Sequence, residues 1–278
     1  MPSLFSNQVV VITGAGRGIG AAAARIFAQE GAQVVVNDLS AEPAAETVDA
    51  IRNAGGDAVA FPGSVTEPTF AEQLLQAAVD AYGKINVLVN NAGYTWDGML
   101  HKMSDEQWQA ILDVHLTAPF RLVRAAAPHM REVAKAEIAA HGQPLEPRCI
   151  VNVSSTSGLH GNIGQINYAA GKMGIVGVTK TIAKEWGVFG IRCNAVAFGY
   201  IDTRLTQAKE KGETIDVNGQ AVALGIPSAA LGDDKTRFIP LQRAGSPAEA
   251  AGGIILMASP YASYITGHTL EVTGGSGI

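Results

Sequence analysis

Cysteine is scarce in this sequence. Among 278 residues only Cys149 and Cys193 are cysteines, and both stand in apolar segments. This pattern favours two buried free thiols in a reducing compartment over a disulfide or a metal site. No metal ion is therefore expected as a cofactor.

The sequence also lacks a targeting segment and a long apolar run. Its first residues, MPSLFSNQVVVITG, have neither the basic start nor the extended apolar stretch of a signal peptide. No apolar run approaches the ~20 residues that a membrane-spanning helix requires. These features predict a cytoplasmic protein without a membrane partner.

Charge of neither sign dominates the chain, whose net charge is −5 at pH 7. Such a balance gives no large electrostatic attraction for nucleic acid or for an anionic membrane, so a small-molecule substrate is the better expectation. Hydrophobic residues make up 47% of the sequence, enough for one large core. A single domain over residues 1–278 is predicted.

Short β-branched runs alternate with longer helical patterns along the whole chain. This alternation predicts a parallel sheet, and the nearly continuous apolar character of the runs indicates that helices cover both of its faces. The predicted architecture is a Rossmann-type, doubly wound α/β fold with ligands at the carboxyl ends of the strands. The seven predicted strands are 9–14, 33–38, 58–63, 86–93, 149–155, 192–199 and 269–275.

Two segments interrupt this alternation. Residues 131–148 are predicted to prolong a helix and break it at Gly142 and Pro144, as surface decoration. Residues 203–240 form a long connection before the last strand, and long connections in compact domains commonly serve function. The segment 203–240 is therefore predicted to be a substrate lid.

The sequence ETIDVNGQAVALGIP, residues 213–227, lies within this predicted lid. Asn218-Gly219 between apolar runs predicts a β-hairpin with a type I′ turn, because both turn residues tolerate positive φ. Such a hairpin would place Ile215 and Val217 on one face, where they cover a pocket or a neighbouring subunit. The alternative is an irregular polar loop.

The sequence TGAGRGIG, residues 13–20, follows the first predicted strand and opens a helix. Glycines permit a tight turn and let the backbone approach a pyrophosphate, which the helix N-terminus attracts. The spacing is T-G-x-x-x-G-x-G, formed by Gly14, Gly18 and Gly20, with Gly16 as an additional glycine. This pattern predicts a dinucleotide site.

Asp38 closes the second predicted strand, where a carboxylate can accept hydrogen bonds from an adenosine ribose. That placement favours NAD, since the carboxylate would repel the 2′-phosphate of NADP. Arg17 could offer this phosphate a countercharge, so NADP stays possible. As alternatives, Asp38 is a loop residue or a helix cap, and Arg17 a solvated side chain.

Three polar residues indicate an active site. Tyr168 and Lys172 in NYAAGKMG are an i, i+4 pair on one helix face, and Ser155 ends the strand CIVNVSS. A phenol, with a reference pKa of ~10, needs a nearby positive charge to act as acid and base near neutrality. Lys172 fits that need.

On these motifs, together with NNAG (90–93) and the ending ITGHTLEVTGG, the chain resembles the short-chain dehydrogenase/reductase family over essentially its whole length. The resemblance implies that Tyr168 exchanges a proton with the substrate oxygen and that Ser155 hydrogen-bonds this oxygen. Lys172 would hold the nicotinamide ribose and depress the tyrosine pKa. The cofactor-binding residues that it implies are Gly14, Gly16, Arg17, Gly18, Ile19, Gly20, Asp38, Leu39, Ser64, Val65, Asn91 at the adenosine ribose, Ala92, Gly93, Tyr168, Lys172, and Ile201 with Thr203 at the nicotinamide amide and phosphates.

Within the family, the stretch NNAGYTWDGMLHKMSDEQWQAILDVHLTAPF looks most like 3-oxoacyl-[acyl-carrier-protein] reductases. The phrase VVVNDLS instead looks like NAD-dependent 3-hydroxyacyl-CoA dehydrogenases. Both resemblances imply a 3-oxoacyl or 3-hydroxyacyl thioester substrate, fatty acid metabolism and a homotetramer. A dehydrogenase of a steroid, terpenoid or polyol and a noncatalytic dinucleotide sensor are the alternatives.

The sequence departs from the family pattern in four places. Ser64 stands where an aspartate usually meets the adenine amino group, and Phe198 replaces the proline of a Pro-Gly pair before Tyr200. The segment 203–240 is long. His115 occupies the place of the family's fourth catalytic residue, an asparagine.

His115 lies in DVHLTAPF, residues 113–120, among apolar neighbours. One interpretation is a neutral imidazole packed within a helix interface. The other places it beside the proton path from Lys172 to solvent, because an imidazole can donate, accept and titrate near neutrality. Its position relative to NNAG favours the second interpretation, so His115 is predicted to be catalytic.

Overall fold

The computed structural model describes residues 3–217, 219–228 and 236–277. Its strands are β1 Val9–Ile12, β2 Gln33–Val36, β3 Asp57–Ala60, β4 Val87–Asn90, β5 Arg148–Ser155, β6 Ile191–Phe198, β7 Thr214–Val217, β8 Gln220–Ala223 and β9 Thr269–Val272. Seven of them form a parallel sheet in the order β3-β2-β1-β4-β5-β6-β9. This order confirms the doubly wound Rossmann-type fold, with its crevice between β1 and β4.

Helices cover both faces of this sheet. They are α1 Gly18–Gln29, α2 Ala41–Asn53, α3 Phe70–Tyr82, α4 Asp105–Leu112, α5 Ala118–Ala126, α6 Arg131–His141, α7 Thr156–His160, α8 Ile166–Trp186 and α9 Pro247–Ala258. Successive side chains of a strand point to opposite faces. Val10 and Ile12 therefore pack with α1 and α9, whereas Val11 packs with α3, α5 and α8. Burial on both faces explains why the strands are apolar throughout.

The structure confirms the seven strands of the sheet but shortens several of them. The fourth strand ends at Asn90, although the sequence predicts a strand to Gly93. The hydroxyl oxygen of Thr13 accepts hydrogen bonds from the backbone N–H groups of Asn91 and Ala92, each at 3.1 Å. These bonds draw the chain away from the β ladder and hold it beside the turn between β1 and α1.

Residues 131–148 are more than the predicted surface decoration. They form a helix of their own, α6, which ends at His141 with Gly142 as its C-cap, and they continue into the buried first residue of β5. The Arg148 guanidinium donates to both carboxylate oxygens of Glu137, at 2.7 and 2.8 Å. These bonds lower the pKa of Glu137 to about 2. A buried guanidinium needs a partner, and α6 supplies it.

The predicted hairpin is confirmed as an antiparallel pair of β7 and β8, in which Val217 lies opposite Gln220. Asn218 lies outside the described residues, so the type I′ turn stays a prediction. Val217 and Val222 are buried with the core residues on the α3 face of the sheet. Gln220 Nε2 also donates to Glu106 Oε1 in α4 at 2.9 Å.

The two cysteines are free and buried, as the sequence predicts. Cys149 lies in β5 and Cys193 in β6, and each is enclosed by the core. Of the helices in residues 3–217, 219–228 and 236–277, none combines the length and the apolar character needed to cross a membrane.

Candidate active site

The glycine-rich turn lies at the carboxyl end of β1, at the crevice of the sheet. Gly14 has φ +62°, and a Cβ atom there would stand 2.7 Å from Ala92 Cα, so only glycine fits. The turn opens α1, whose first residues are Gly18, Ile19 and Gly20. Free N–H groups at this helix start can bind an anion, as the sequence predicts.

Asp38 stands beside this turn, two residues after the end of β2. Its carboxylate oxygens accept hydrogen bonds from the backbone N–H of Gly16 at 3.0 Å and of Ser40 at 3.3 Å. Arg17 is exposed at the start of α1, and Leu39 is exposed next to Asp38. The structure thus brings Asp38 within hydrogen-bond distance of the glycine turn.

Asn91 is the residue that holds the glycine turn in place. Its side-chain Nδ2 donates to the carbonyl oxygens of Thr13 and Gly14, both at 2.9 Å. Both amide protons are thereby engaged with the protein backbone. A ribose near Asn91 would meet its carbonyl oxygen or its backbone, and not its N–H groups.

Four other predicted cofactor residues surround this crevice. Ser64 Oγ bonds to Thr66 Oγ1 at 2.7 Å, so the residue at the usual aspartate position is a hydroxyl with a local partner. Val65 is buried beside it. On the opposite side, a methyl group of Thr203 lies 3.7 Å from the place of a Cβ atom on Gly18. Ile201 is buried and bridges to Gly245.

Ser155, Tyr168 and Lys172 come together at the carboxyl end of β5. Ser155 ends this strand, close enough to Tyr168 in the first turn of α8 for its hydroxyl to lower the pKa of that phenol. Lys172 follows one turn later; its Nζ donates to Val153 O at 2.7 Å and lies 5.6 Å from the Tyr168 ring centroid. The structure places these three side chains as the sequence predicts.

His115 is buried next to the same tyrosine, in a π-helical turn over Asp113–Thr117 between α4 and α5. Its ring meets that of Tyr168 edge-on, with 5.0 Å between centroids. The Nε2 atom lies 2.7 Å from Tyr94 O, whereas Nδ1 has no hydrogen-bond partner within the part of the chain that the structure describes. The imidazole is accommodated because residue 93 is glycine: a Cβ atom there would lie 2.2 Å from His115 Cε1.

The family model described as short chain dehydrogenase matches residues 8–214. The chain belongs to this family. It is 38% identical to a 3-oxoacyl-[acyl-carrier-protein] reductase of Synechocystis sp. over 98% of this chain and 97% of the relative. It is 37% identical to the reductase FabG of Thermotoga maritima, over 98% of each chain, and 36% identical to the short-chain reductase NovJ of Streptomyces niveus, over 98% of this chain and 95% of the relative.

Membership fixes the reaction class. The chain is an oxidoreductase that uses a nicotinamide dinucleotide to interconvert a secondary alcohol and a ketone by hydride transfer. Phe198, the departure from the family's proline, ends β6 directly opposite Ser155 and is buried. This substitution leaves Ser155 in place, because the two strands keep their register through their last residues.

Burial changes the pKa values of this site in a direction that the sequence does not predict. The pKa of Tyr168 is raised to about 12 by desolvation, although the Ser155 hydrogen bond lowers it in part. The Lys172 ammonium donates to Val153 O, and the expectation that it depresses the pKa of Tyr168 stays a prediction. Burial also lowers the pKa of Lys172 to about 7, since a desolvated ammonium favours its neutral form.

The expectation that His115 titrates near neutrality is wrong. Desolvation and the nearby charge of Lys172 hold the pKa of His115 well below its usual range, although the bond to Tyr94 acts in the opposite direction. A neutral imidazole follows, with one ring nitrogen donating to Tyr94 O. His115 is therefore a fixed donor and acceptor, and not a group that carries charge.

Three polar residues near Tyr168 are absent from the sequence prediction. Gln165 Nε2 donates to both carboxylate oxygens of Asp97, at 3.1 and 3.2 Å. The negative charge of Asp97 raises the pKa of Tyr168. Asn167, directly before the tyrosine, is wholly buried. The sequence offered one signal for Asn167, which is an amide side chain at the start of a predicted helix. Such side chains commonly bind the free N–H groups at helix starts.

Proposed function

We propose that this chain interconverts 3-oxoacyl and 3-hydroxyacyl thioesters, with Ser155, Tyr168, Lys172 and His115 as its catalytic residues. The observation that carries the proposal is the convergence of Ser155, at the end of β5, with Tyr168 and Lys172, which lie one turn apart on α8. The relatives named as 3-oxoacyl-[acyl-carrier-protein] reductases support a thioester substrate. A dehydrogenase of another secondary alcohol is the alternative, and the reductase NovJ is a relative whose name carries no acyl carrier.

A nicotinamide dinucleotide fits the residues around the glycine turn. The start of α1 offers free N–H groups to a pyrophosphate, and the Asp38 carboxylate offers acceptors to ribose hydroxyls. When bound, the dinucleotide supplies or accepts the hydride. We propose that the residues that hold it are Gly14, Gly16, Arg17, Gly18, Ile19, Gly20, Asp38, Leu39, Ser64, Val65, Asn91, Ala92, Gly93, Tyr168, Lys172, Ile201 and Thr203.

Tyr168 is the group that moves the proton. In reduction its hydroxyl gives a proton to the substrate oxygen, and in oxidation it takes the proton back. The Ser155 hydroxyl donates a hydrogen bond to the same oxygen and so orients it. Lys172, with a pKa lowered to about 7, can exchange a proton near neutrality. Neutral His115 keeps a polar acceptor beside Tyr168, because its Nε2–H is bound to Tyr94 O.

NAD(H) is the preferred dinucleotide in this proposal. The Asp38 carboxylate is fixed by two backbone N–H groups next to the glycine turn, where it would repel a 2′-phosphate. Arg17 is exposed at the start of α1, where its guanidinium could offer a countercharge to the 2′-phosphate of NADP.

We also propose that residues 203–240 form a substrate lid. In the same proposal, residues 1–278 form a single domain. Support comes from the hairpin of β7 and β8, whose buried valines pack in the same core cluster as Tyr94 and Trp96 of the loop after β4. Gln220 fastens the hairpin to α4 through Glu106. The lid therefore contacts the elements that precede His115.

We also propose that the protein is a homotetramer in the cytoplasm. Phe120 on α5 is half exposed, and an apolar groove between α5 and α8 includes Val123, Val178 and Trp186. A second copy of the chain can bury this surface. The two free thiols fit a reducing compartment.

One assay tests the proposed function against its alternatives. NADH formation is measured with a panel of 3-hydroxyacyl thioesters and simple secondary alcohols, and NADH consumption with 3-oxoacyl thioesters. Tyr168→Phe is the control, because it keeps the ring and removes the acid. We expect the thioesters to have the highest kcat/KM. Faster turnover of a steroid or polyol favours the alternative dehydrogenase, and dinucleotide binding without any turnover indicates a sensor.

A further inference from the structure

Asn167 has no exposed surface and uses its whole side chain in hydrogen bonds. Its Oδ1 accepts from the backbone N–H of Tyr168 at 2.7 Å. Its Nδ2 donates to Trp96 O at 3.1 Å and to Gln107 O at 3.0 Å. One carboxamide therefore joins three separate parts of the chain.

These three parts all border the active site. Tyr168 is the third residue of α8, so its N–H belongs to the first turn, where a helix provides no internal acceptor. Trp96 belongs to the loop that follows β4 and leads past the site. Gln107 lies in α4, which runs directly into the π-helical turn of His115. Asn167 thus links the tyrosine to the loop on one side and to the histidine's helix on the other.

Two further contacts confine the same loop. The backbone N–H of Gly98 donates to Gly164 O at 2.8 Å, and Gln165 bonds to Asp97. Both are more exposed than the Asn167 bonds and so compete with water. Of these contacts to the loop, water can least easily replace those of the buried Asn167 side chain.

From this geometry we propose that Asn167 is a positioning residue for the reaction put forward above. Its carboxamide keeps the first turn of α8 from fraying and fixes Tyr168 against the loop of Trp96 and Asp97. The inference rests on the proposed function. Its physical basis is that a displacement of about 1 Å in an acid–base group can cost on the order of 100-fold in rate.

Two variants separate the bonds that Asn167 makes. Asn167→Ala removes all three, whereas Asn167→Asp keeps the acceptor for the Tyr168 N–H and loses both donors. We expect both to lower kcat by roughly 10- to 100-fold while the Kd for NADH, measured by fluorescence, changes less than about twofold. In Asn167→Ala, the apparent pKa in the pH profile of kcat/KM should also rise. A displaced Tyr168 moves away from the Ser155 hydroxyl, which lowers the pKa of the tyrosine.

Asn86 offers a matched control. It is also buried; its Oδ1 accepts from Val9 N at 2.9 Å, and its Nδ2 donates to Pro147 O at 3.3 Å and to Glu146 Oε2 at 2.7 Å. It lies at the amino end of β4, away from the active site. Asn86→Ala should lower the melting temperature as much as Asn167→Ala does, yet keep the pH profile and the kcat of the folded enzyme.

The outcomes distinguish the inference from the function on which it rests. If both Asn167 variants keep kcat within about twofold of wild type, or if Asn86→Ala loses as much, Asn167 is merely structural and the inference is wrong. If Asn167→Ala fails to fold, Asn167→Asp decides the question by the same criteria. A wild-type enzyme that turns over no substrate of the panel contradicts the proposed function itself.

Discussion

His115 stands where the resemblance to the family implies a catalytic asparagine. The neutral imidazole lies against Tyr168 and occupies space that Gly93 leaves free. We expect His115→Asn to keep most activity, because an amide also donates and accepts. His115→Ala should lower kcat by roughly 10- to 1,000-fold with a smaller effect on NAD affinity, because Tyr168 loses the polar acceptor beside it. Steady-state kinetics across the pH range provides the test; normal turnover by the alanine variant, with earlier melting alone, would show that His115 is packing.

The same histidine should also make stability depend on pH. Its pKa is held well below the usual range in the folded protein, whereas unfolding returns it to about 6.5. Below that pH the unfolded chain binds a proton that the folded protein does not, so stability is lost as the pH falls. His115→Asn should therefore lose less melting temperature than wild type between about pH 8 and about pH 5. Equal losses in the two proteins would contradict the buried neutral state.

At the residue scale, the proposed preference for NAD over NADP rests on Asp38. Asp38→Ala should narrow the preference for NAD, because the lost ribose contacts and the lost repulsion of the 2′-phosphate act in the same direction. The measurement is kcat/KM with NAD(H) and with NADP(H) for both proteins. Arg17→Ala is the companion variant, and it should weaken NADP use selectively. A wild-type enzyme with the higher kcat/KM for NADPH would refute the assignment.

The positions of the candidate catalytic residues were easier to predict than their pKa values and hydrogen-bond partners. Ser155, Tyr168 and Lys172 lie close together as their spacing predicts, since helix periodicity and strand ends place them so, while their catalytic roles stay a proposal. Spacing could not predict that Lys172 bonds to Val153 O or that burial raises the pKa of Tyr168, because desolvation depends on the whole enclosing fold. The role of Asn167 depends on Trp96 and Gln107, which are distant in sequence and adjacent only after folding.

At the scale of elements, the alternation of apolar and helical runs predicted the strands of the sheet correctly but did not predict where several strands end. β4 stops at Asn90 because Thr13, far away in sequence, binds the next two N–H groups. Asn-Gly predicted the β7–β8 hairpin because its signal is local. By contrast, the attachment of α6 to the core through Glu137 and Arg148 joins two elements, and no local pattern reveals it.

The hairpin is the element whose function is most open to experiment. In β8 the side chain of Val222 is buried, whereas that of Ala221 is exposed on the opposite face of the strand. If the hairpin covers the acyl chain, Val222→Ala should raise KM by roughly tenfold for longer acyl thioesters, as for lost apolar contact in a pocket, and leave the NADH Kd unchanged. Ala221→Ser is the control and should behave as wild type. A lower melting temperature with unchanged KM would show that the hairpin packs without touching substrate.

At the scale of the whole molecule, the apolar surface between α5 and α8 predicts self-association. Phe120 is 51% exposed there, and Arg124 stacks over its ring at 5.0 Å. Large aromatic side chains beside arginine are frequent in the centres of interfaces. Light scattering coupled to size-exclusion chromatography should give four times the mass of one chain for wild type, and Phe120→Glu should give smaller species, because a carboxylate in the interface would be desolvated without a partner. Leu145→Glu, in the turn before β5, changes another exposed apolar residue and should keep the tetramer. A monomeric wild type, or a tetramer that persists in Phe120→Glu, would contradict the assignment of this surface.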